Sequence, residues 1–291
     1  MPELPEVETI VRELKKEVLN RTFLDIWTDN PKMVKRSSFD NFKKQIKGRK
    51  IKDVRRRAKN ILFYLSGDKI MLVHLKMTGH FLLGKWKREK ESWTPLSKGQ
   101  IAKDPMNRFL HLIFWLDNGE MMALSDLRKF AKAEFWGQEE LENSKYFRTL
   151  GPEPLEKTFT YDSFKEALSN KRGRIKSVLM DQTVIAGIGN IYSDEILFYS
   201  KIHPMKSVQD LSEKEKKKLY SAIIKVLTLG VKLRGESFSD YRRTLGQKGD
   251  YDKVRKVYRR TGEECPSCGG KIERIKIGGR SAHFCSKCQK L

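Results

Sequence analysis

Leu4, Val7, Ile10, Val11, Leu14 and Val18 recur at three- and four-residue intervals, a spacing that predicts an amphipathic helix over residues 4–19. From about residue 22 to 136 the pattern changes. Short runs rich in branched and aromatic residues, such as Ile61 to Leu65, Ile70 to Val73 and Leu110 to Leu116, read as strands. Gly67-Asp68 and Asn118-Gly119 stand between such runs as turn signals. Residues 85–104 are polar and basic, with Pro, Gly and Ser, and read as a mobile loop. Gly151-Pro-Glu-Pro154 breaks the chain. Beyond it the period is helical, over 161–169, 174–181, 190–200 and 212–229. Residues 235–262 are rich in Gly, Tyr and Arg with weak periodicity, as in a flexible or nucleic-acid-contacting segment. The last thirty residues form a small cysteine-bearing module, and the chain shows no internal repeat.

At 291 residues the chain has room for about two domains of ordinary size and a small appendage. With 38% hydrophobic and 33% charged residues it is neither collagen-like, nor low-complexity, nor a disulfide scaffold. The apolar run from Phe109 to Leu116 is about half a bilayer span, and His111 interrupts it. The opening residues lack the basic start and apolar stretch of a signal peptide. A soluble, cytoplasmic chain is expected.

Charge narrows the partner. Sixty Lys and Arg against 37 Asp and Glu give a net charge of +23, and the 91 residues from Lys201 onward hold 23 basic and 10 acidic residues. Such a field favours a polyanion, because Lys and Arg displace the counterions condensed on phosphates. An anionic membrane surface would suit the charge too, but no lipidation signal or flanking basic amphipathic helix accompanies it.

All four cysteines lie near the C-terminus, as Cys265-Pro-Ser-Cys268 and Cys285-Ser-Lys-Cys288, with 16 residues between the pairs. Two such pairs place four thiolates around a tetrahedral Zn²⁺. A redox dithiol would need only one pair. Ile272 to Ile277 and Ser281 to Phe284 flank Gly278-Gly279, which predicts a hairpin with Arg280 at its tip. His283 reads as a packing or DNA-facing residue, since four sulfurs already close the metal shell.

At the other end Pro2 follows Met1, and removal of the methionine would leave a secondary amine. A terminal amine titrates at about 7.7–8.0 against about 10.4 for lysine, so part of it is nucleophilic near neutral pH. Glu3 and Glu6 lie close enough in sequence to shuttle a proton. On residue type alone, Pro and Glu are better explained as first-turn helix residues. Gly187-Ile-Gly-Asn190 opens a helix and reads, weakly, as a phosphate-binding helix start. It is not a dinucleotide fingerprint, because Tyr192 holds the third glycine position and no strand precedes it.

Met1-Pro-Glu-Leu-Pro-Glu-Val-Glu-Thr9, Arg56-Arg-Ala-Lys59, Leu150-Gly-Pro-Glu-Pro-Leu155, Gly187-Ile-Gly-Asn-Ile-Tyr192 and the two cysteine pairs occur in that order. Over essentially its whole length the chain resembles the formamidopyrimidine-DNA glycosylases. The resemblance implies an α+β multidomain fold: an N-terminal helix with a two-layered β-sandwich (1–150), a helix–two-turns–helix DNA-binding domain (151–258) and a zinc β-ribbon (259–291). DNA would lie in the cleft between the two main parts. It also implies a monomer that acts on double-stranded DNA bearing oxidised bases or abasic sites, with one structural Zn²⁺ and no membrane partner.

The family's residues carry over one by one. Pro2 matches the nucleophile that attacks C1′, and Glu3 the acid that assists base loss and ring opening. Lys59 matches the lysine assigned to proton transfer in β-elimination, and Arg280 the ribbon arginine that contacts phosphate and assists δ-elimination. A base extruded from a duplex leaves a gap to be filled, and Met77, Arg128 and Phe130 match the void-filling set. Arg172, Lys176 and Asn190 match positions that grip phosphates. Cys265, Cys268, Cys285 and Cys288 match the zinc ligands. Ala131 stands where the family usually has Gly, Phe109 where a DNA-contacting His is common, and Tyr258-Arg-Arg where Tyr-Gly-Arg is usual. The implied activity is removal of oxidised purines followed by β,δ-elimination. The alternatives are the endonuclease VIII branch, acting on oxidised pyrimidines, and a non-catalytic zinc-ribbon DNA-binding protein. Leu4 favours the purine branch, since the other usually carries Gly there.

Overall fold

The computed structural model describes residues 1–90, 92–236 and 241–291. Two compact units emerge. The first holds Met1–Pro2, Glu6–Arg148 and Arg234–Asp250, and the second Glu3–Pro5, Thr149–Leu233 and Tyr251–Leu291.

The N-terminal helix α1 (Leu4–Val18) is followed by β1 (Phe23–Thr28), β2 (Val34–Lys35), α2 (Phe39–Ile46), β3 (Ile51–Arg57), β4 (Asn60–Leu65), β5 (Lys69–His74), β6 (His80–Gly84), β7 (Trp86–Glu89), β8 (Ser92–Pro95), β9 (Leu110–Leu116), β10 (Met121–Ser125), β11 (Lys132–Gly137), α3 (Gln138–Asn143) and α4 (Lys145–Arg148). The strands form a four-stranded sheet, β1-β9-β10-β6, and a five-stranded sheet, β2-β11-β5-β4-β3. Only the β2–β11 pair is parallel among the described pairings.

The pleat explains why these strands read as unbroken apolar runs rather than as alternating ones. Phe81, Leu83, Leu112, Phe114, Met122 and Leu124 join Phe63, Met71 and Val73 of the other sheet in one core, which also takes Val7, Ile10, Val11, Leu14 and Val18 of α1. Their neighbours Leu82, Ile113 and Ala123 point the other way and are covered by Trp86, Ile101 and Met106. Leu62, Ile70 and Leu72 likewise meet Leu141, with Trp136 and Phe147 alongside. Both outer faces are covered.

Residues 85–104 are therefore not a mobile loop. They fold as the β7–β8 hairpin and a short 3₁₀ turn (Ile101–Lys103), with Glu91 outside the described residues. Trp86 donates its indole N–H to Asn107 Oδ1 at 2.8 Å. Trp93 packs against Trp27 and Trp115, with ring centroids 5.1 and 6.0 Å away. The two tryptophans of this basic segment, Trp86 and Trp93, hold the hairpin down, and the surrounding lysines make it read as loop. Helix α2 was equally hidden in a region that reads as strand. Ser38 caps it, accepting from the Asn41 N–H at 3.3 Å, and Phe42 and Ile46 bury its apolar side.

The second unit contains α5 (Tyr161–Ser169), α6 (Ile175–Met180), α7 (Asn190–Ser200), α8 (Glu213–Lys232) and the ribbon strands β12 (Ile272–Ile277) and β13 (Arg280–Cys285). Ser212 and Glu215 form a capping box at the start of α8. In the ribbon Ile277 faces Arg280, and Gly278 and Gly279 supply the two positive φ values (+53° and +76°) that a two-residue hairpin turn demands. Gln289 ties the ribbon to the helices, donating to Ile202 O at 2.9 Å and accepting from Cys285 N at 3.0 Å.

The reading of 235–262 as flexible is also corrected for its described residues, while 237–240 lie outside them. Glu13 on α1 accepts from Arg243 Nε at 2.5 Å and Thr244 N at 3.0 Å. Glu195 on α7 accepts from the N–H groups of Lys256, Val257 and Tyr258 at 2.7–3.0 Å.

The half-buried His74 and the buried His80 give the first unit a pH signature. Burial and the charges of Lys76, Lys132 and Lys59 push His74 down to about 3, and burial also lowers His80. Below the ordinary histidine range the unfolded chain binds protons that the folded chain refuses, so stability falls as pH drops from about 6.5. Each histidine contributes at most ~1.4 kcal/mol per pH unit. Thermal unfolding of the His74→Gln variant should therefore show a shallower loss of Tm between pH 7 and 5 than the parent. Parallel profiles would contradict a neutral His74.

Candidate active site

Glu3 is 2% exposed, and its carboxylate sits on the first turn of α7. Oε2 accepts from Gly189 N at 2.8 Å and Tyr192 N at 3.2 Å, and Oε1 from Ile191 N at 2.8 Å. A helix start leaves such N–H groups without partners, and they favour an anion. Only glycine permits the approach, since a Cβ at position 189 would lie 2.4 Å from Glu3 Cδ. Leu4 N donates to Gly187 O at 3.0 Å, with Gly187 at φ +88°. The reading of Gly187–Asn190 as a phosphate cradle is thus overturned: the anion is the chain's own Glu3. Pro2, its neighbour in sequence, is buried.

Lys59 lies in the two-residue turn between β3 and β4 and is 6% exposed. Ala58 takes the left-handed φ of +53°, and its carbonyl accepts from Arg56 Nη1 at 3.1 Å. Arg56 is fixed in turn by Glu8 of α1, at 2.9 Å. The β4–β5 register sets His74 opposite Asn60, next to Lys59. His74 Nδ1 accepts from Lys76 N at 2.9 Å, so the neutral ring carries its proton on Nε2. This neutral donor beside a buried lysine escaped the sequence reading. The signal was there, in the same His-Leu-Lys-Met run that singled out Met77.

Met77, Arg128 and Phe130 stand on two loops that one carboxylate joins. Asp126 is fully buried and accepts from Thr78 Oγ1, from Arg128 N at 3.2 Å and from Ala131 N at 2.7 Å. Phe130 is 52% exposed, and the Arg128 guanidinium lies over its ring, 4.6 Å from the centroid. Met77 is half-buried. Ala131 fits in place of glycine because position 79 is itself glycine; a Cβ there would lie 3.0 Å from that of Ala131 and 2.5 Å from Leu75 O.

In the second unit Arg172 and Arg280 are exposed, and Asn190 is half-buried at the head of α7 beside the Tyr258 phenol. Lys176 departs from expectation. It is 1% exposed, and its ammonium is ion-paired with Asp194 and near Ser193 Oγ at 3.3 Å, so its charge is neutralised internally and offers a phosphate nothing. His283 is a packing residue, with ring and backbone both donating to Asp194 Oδ2 at 2.9 Å.

The four cysteine sulfurs lie within 4.8 Å of one another, with Cys265–Cys288 at 3.8 Å and Cys268–Cys285 at 3.5 Å. Sulfurs at the corners of a tetrahedron with Zn–S bonds of about 2.3 Å stand roughly 3.8 Å apart. The donor set and its spacing fit zinc.

Residues 1–133 match the family model of the formamidopyrimidine-DNA glycosylase N-terminal domain, 150–242 that of its H2TH domain, and 262–291 that of the zinc finger found in FPG and IleRS. The formamidopyrimidine-DNA glycosylase of Desulforamulus reducens is 39% identical over 291 residues, covering 100% of this chain and 99% of its own. The chain belongs to the formamidopyrimidine-DNA glycosylase family. The glycosylase of Streptococcus thermophilus is 38% identical over 290 residues, all of both chains. Among solved structures, the Lactococcus lactis Fpg in complex with abasic-site DNA matches at TM-score 0.86 and 34% identity, covering 99% of this chain and 100% of its own. Its complex with DNA containing Fapy-dG matches at 0.85 and 34%, with the same coverage. As in the family's zinc-finger domain, the cysteines hold one structural Zn²⁺.

Two outcomes follow for this member of the family. Metal analysis of reduced protein should find one zinc per chain, and chelation should weaken DNA binding while near-ultraviolet tryptophan signals persist, because the cysteines lie in the second unit. Asp126→Asn should impair excision of a paired base at least tenfold more than cleavage at a preformed abasic site, matching Met77→Ala and Phe130→Ala. A paired base costs more to extrude than an abasic sugar. Equal losses on both substrates would assign all three residues to the core.

Proposed function

We propose that this chain is a bifunctional DNA glycosylase and AP lyase that removes oxidised purines from duplex DNA. The carrying observation is the Glu3 carboxylate, held at the head of α7 by three backbone donors directly after a buried Pro2. A non-catalytic binding module leaves that arrangement without purpose. The relatives' solved complexes, with abasic-site DNA and with Fapy-dG DNA, support the substrate class.

The neutral Pro2 amine forms a bond to C1′ as the bond from C1′ to the damaged base breaks, and the departing base takes a proton from solvent. The proton shed by the Pro2 nitrogen passes to the Glu3 carboxylate, which delivers it to the sugar ring oxygen as the ring opens to an iminium. Lys59, beside the neutral His74, moves the proton lost from C2′ as the 3′ phosphate departs. Arg280 serves the second elimination, in which the 5′ phosphate leaves. His74 Nε2–H and the exposed Arg172 are phosphate donors in this scheme, Asn190 helps to hold the backbone, and Met77, Arg128 and Phe130 fill the vacated stack. The chemistry divides into a catalytic part (1–150), a helical DNA-binding part (151–258) and the ribbon (259–291). No helix among the described residues is long and apolar enough to cross a membrane, and we place the enzyme in the cytoplasm, at the nucleoid.

Borohydride reduction during incubation with an 8-oxoguanine duplex should yield one covalent protein–DNA adduct, mapped to Pro2. Retention of Met1 should abolish it, because an amide nitrogen has no available lone pair. Glu3→Gln should still bind the duplex but lose base excision. The Lactococcus lactis enzyme has also been solved with oxidised-pyrimidine DNA, so a parallel pyrimidine substrate ranks the two branches. No adduct with either lesion, from protein beginning at Pro2, would leave the non-catalytic reading.

A further inference from the structure

Ser193, Asp194 and Glu195 are consecutive, polar and fully buried on α7, an unusual load for one helical turn. Glu195 is spent on the backbone of 256–258. Asp194 does something else. One carboxylate oxygen takes the Lys176 ammonium of α6, and the other takes both the backbone N–H and the ring Nδ1 of His283 on β13, each at 2.9 Å. A single side chain thus joins two helices to the ribbon.

The lever arm explains why the ribbon needs this joint. The cysteines hold the hairpin at its base, but Arg280 is five residues up the strand from Cys285, about 17 Å at the rise of a β-strand. A two-stranded hairpin is marginal alone and free to swing. His283 lies between the two, so the Asp194 clamp grips the strand about 10 Å from Arg280. Its grip on the strand's outward N–H fixes backbone, not merely a side chain. The turn also rests near α6, where a Cβ on Gly278 would stand 3.4 Å from Ser177 Oγ, next to Lys176. Asp194 itself lies one helical turn, about 6 Å, below Asn190 and the amides that seat Glu3.

We infer that Asp194 is a positioning residue for Arg280, holding the ribbon arginine in register with the Glu3 end of α7 through the Lys176–Asp194–His283 joint. The inference rests on the glycosylase and lyase reading above. A buried ion pair is a poor source of stability, since an apolar pair of similar volume often serves as well. Its directionality is what an apolar pair lacks.

The test compares two double variants in full-length, zinc-loaded protein. Lys176→Met with Asp194→Leu removes both charges together, leaving neither stranded, and deletes the acceptor for His283. Lys176→Gln with Asp194→Asn removes the same charges but keeps that acceptor. On a preformed abasic duplex the ratio of δ- to β-elimination product should fall about tenfold in the first pair, as expected for a misplaced reacting group, and recover to within about twofold in the second. Borohydride trapping at Pro2 and zinc content should match the parent in both. Arg280→Ala should lower the same ratio and add nothing to the first pair. An unchanged ratio in the folded first pair overturns the role of Asp194 while leaving the lyase reading intact. Absence of any trapping in the parent chain overturns the lyase reading, and this inference with it.

Discussion

A buried carboxylate and a buried helix start are each untenable alone. Glu3 without donors would carry a desolvation penalty of several kcal/mol, and the first amides of α7 without an acceptor would carry about one to three each. Each is the other's solution, at 2.8–3.2 Å. The pairing also dictates residues that take no part in chemistry. Gly189 is required for the approach of Glu3 and Gly187 for that of Leu4, because a Cβ at either site would collide. Pro2 is one peptide bond, 3.8 Å between Cα atoms, from the anchored residue.

The same theme recurs through the molecule. Asp126 gathers the loops of Met77 and of Arg128 and Phe130, Glu13 holds Arg243 and Thr244, and Glu195 holds 256–258. In each case a carboxylate meets backbone N–H groups of a segment without regular ladders, where a hydrogen bond to a charged acceptor is stronger than a neutral one. A chain of net charge +23 thus commits several of its carboxylates to internal architecture. The surplus of cations is left for the surface, where a polyanionic duplex can use it.

The legible parts of the sequence were those with a period or a spacing. Helix α1, the strands β4, β5 and β9, α5 to α8 and the ribbon follow from apolar recurrence and turn glycines, and the zinc site from two cysteine pairs. What stayed hidden depends on partners far along the chain. Glu13 and Arg243 are 230 residues apart, and a glutamate on an amphipathic helix reads as solvent-facing. Lys176 reads as one more surface cation until Asp194 is brought beside it. The glycine-rich start of α7 reads as a phosphate site although its anion is Glu3, because such a motif cannot name its anion. Nothing local distinguishes a phosphate from a glutamate at position 3.

The tryptophans carry a practical consequence. All five, at positions 27, 86, 93, 115 and 136, belong to the first unit, and three of them form the contiguous cluster beneath the β7–β8 hairpin. The second unit has none. Indole fluorescence therefore watches the first unit alone, while far-ultraviolet circular dichroism, to which α1 and both sheets as well as α5 to α8 contribute, watches the whole chain without any label. If the halves unfold as one, the two optical melting curves superimpose; if they do not, their separation measures how independently each half can be lost.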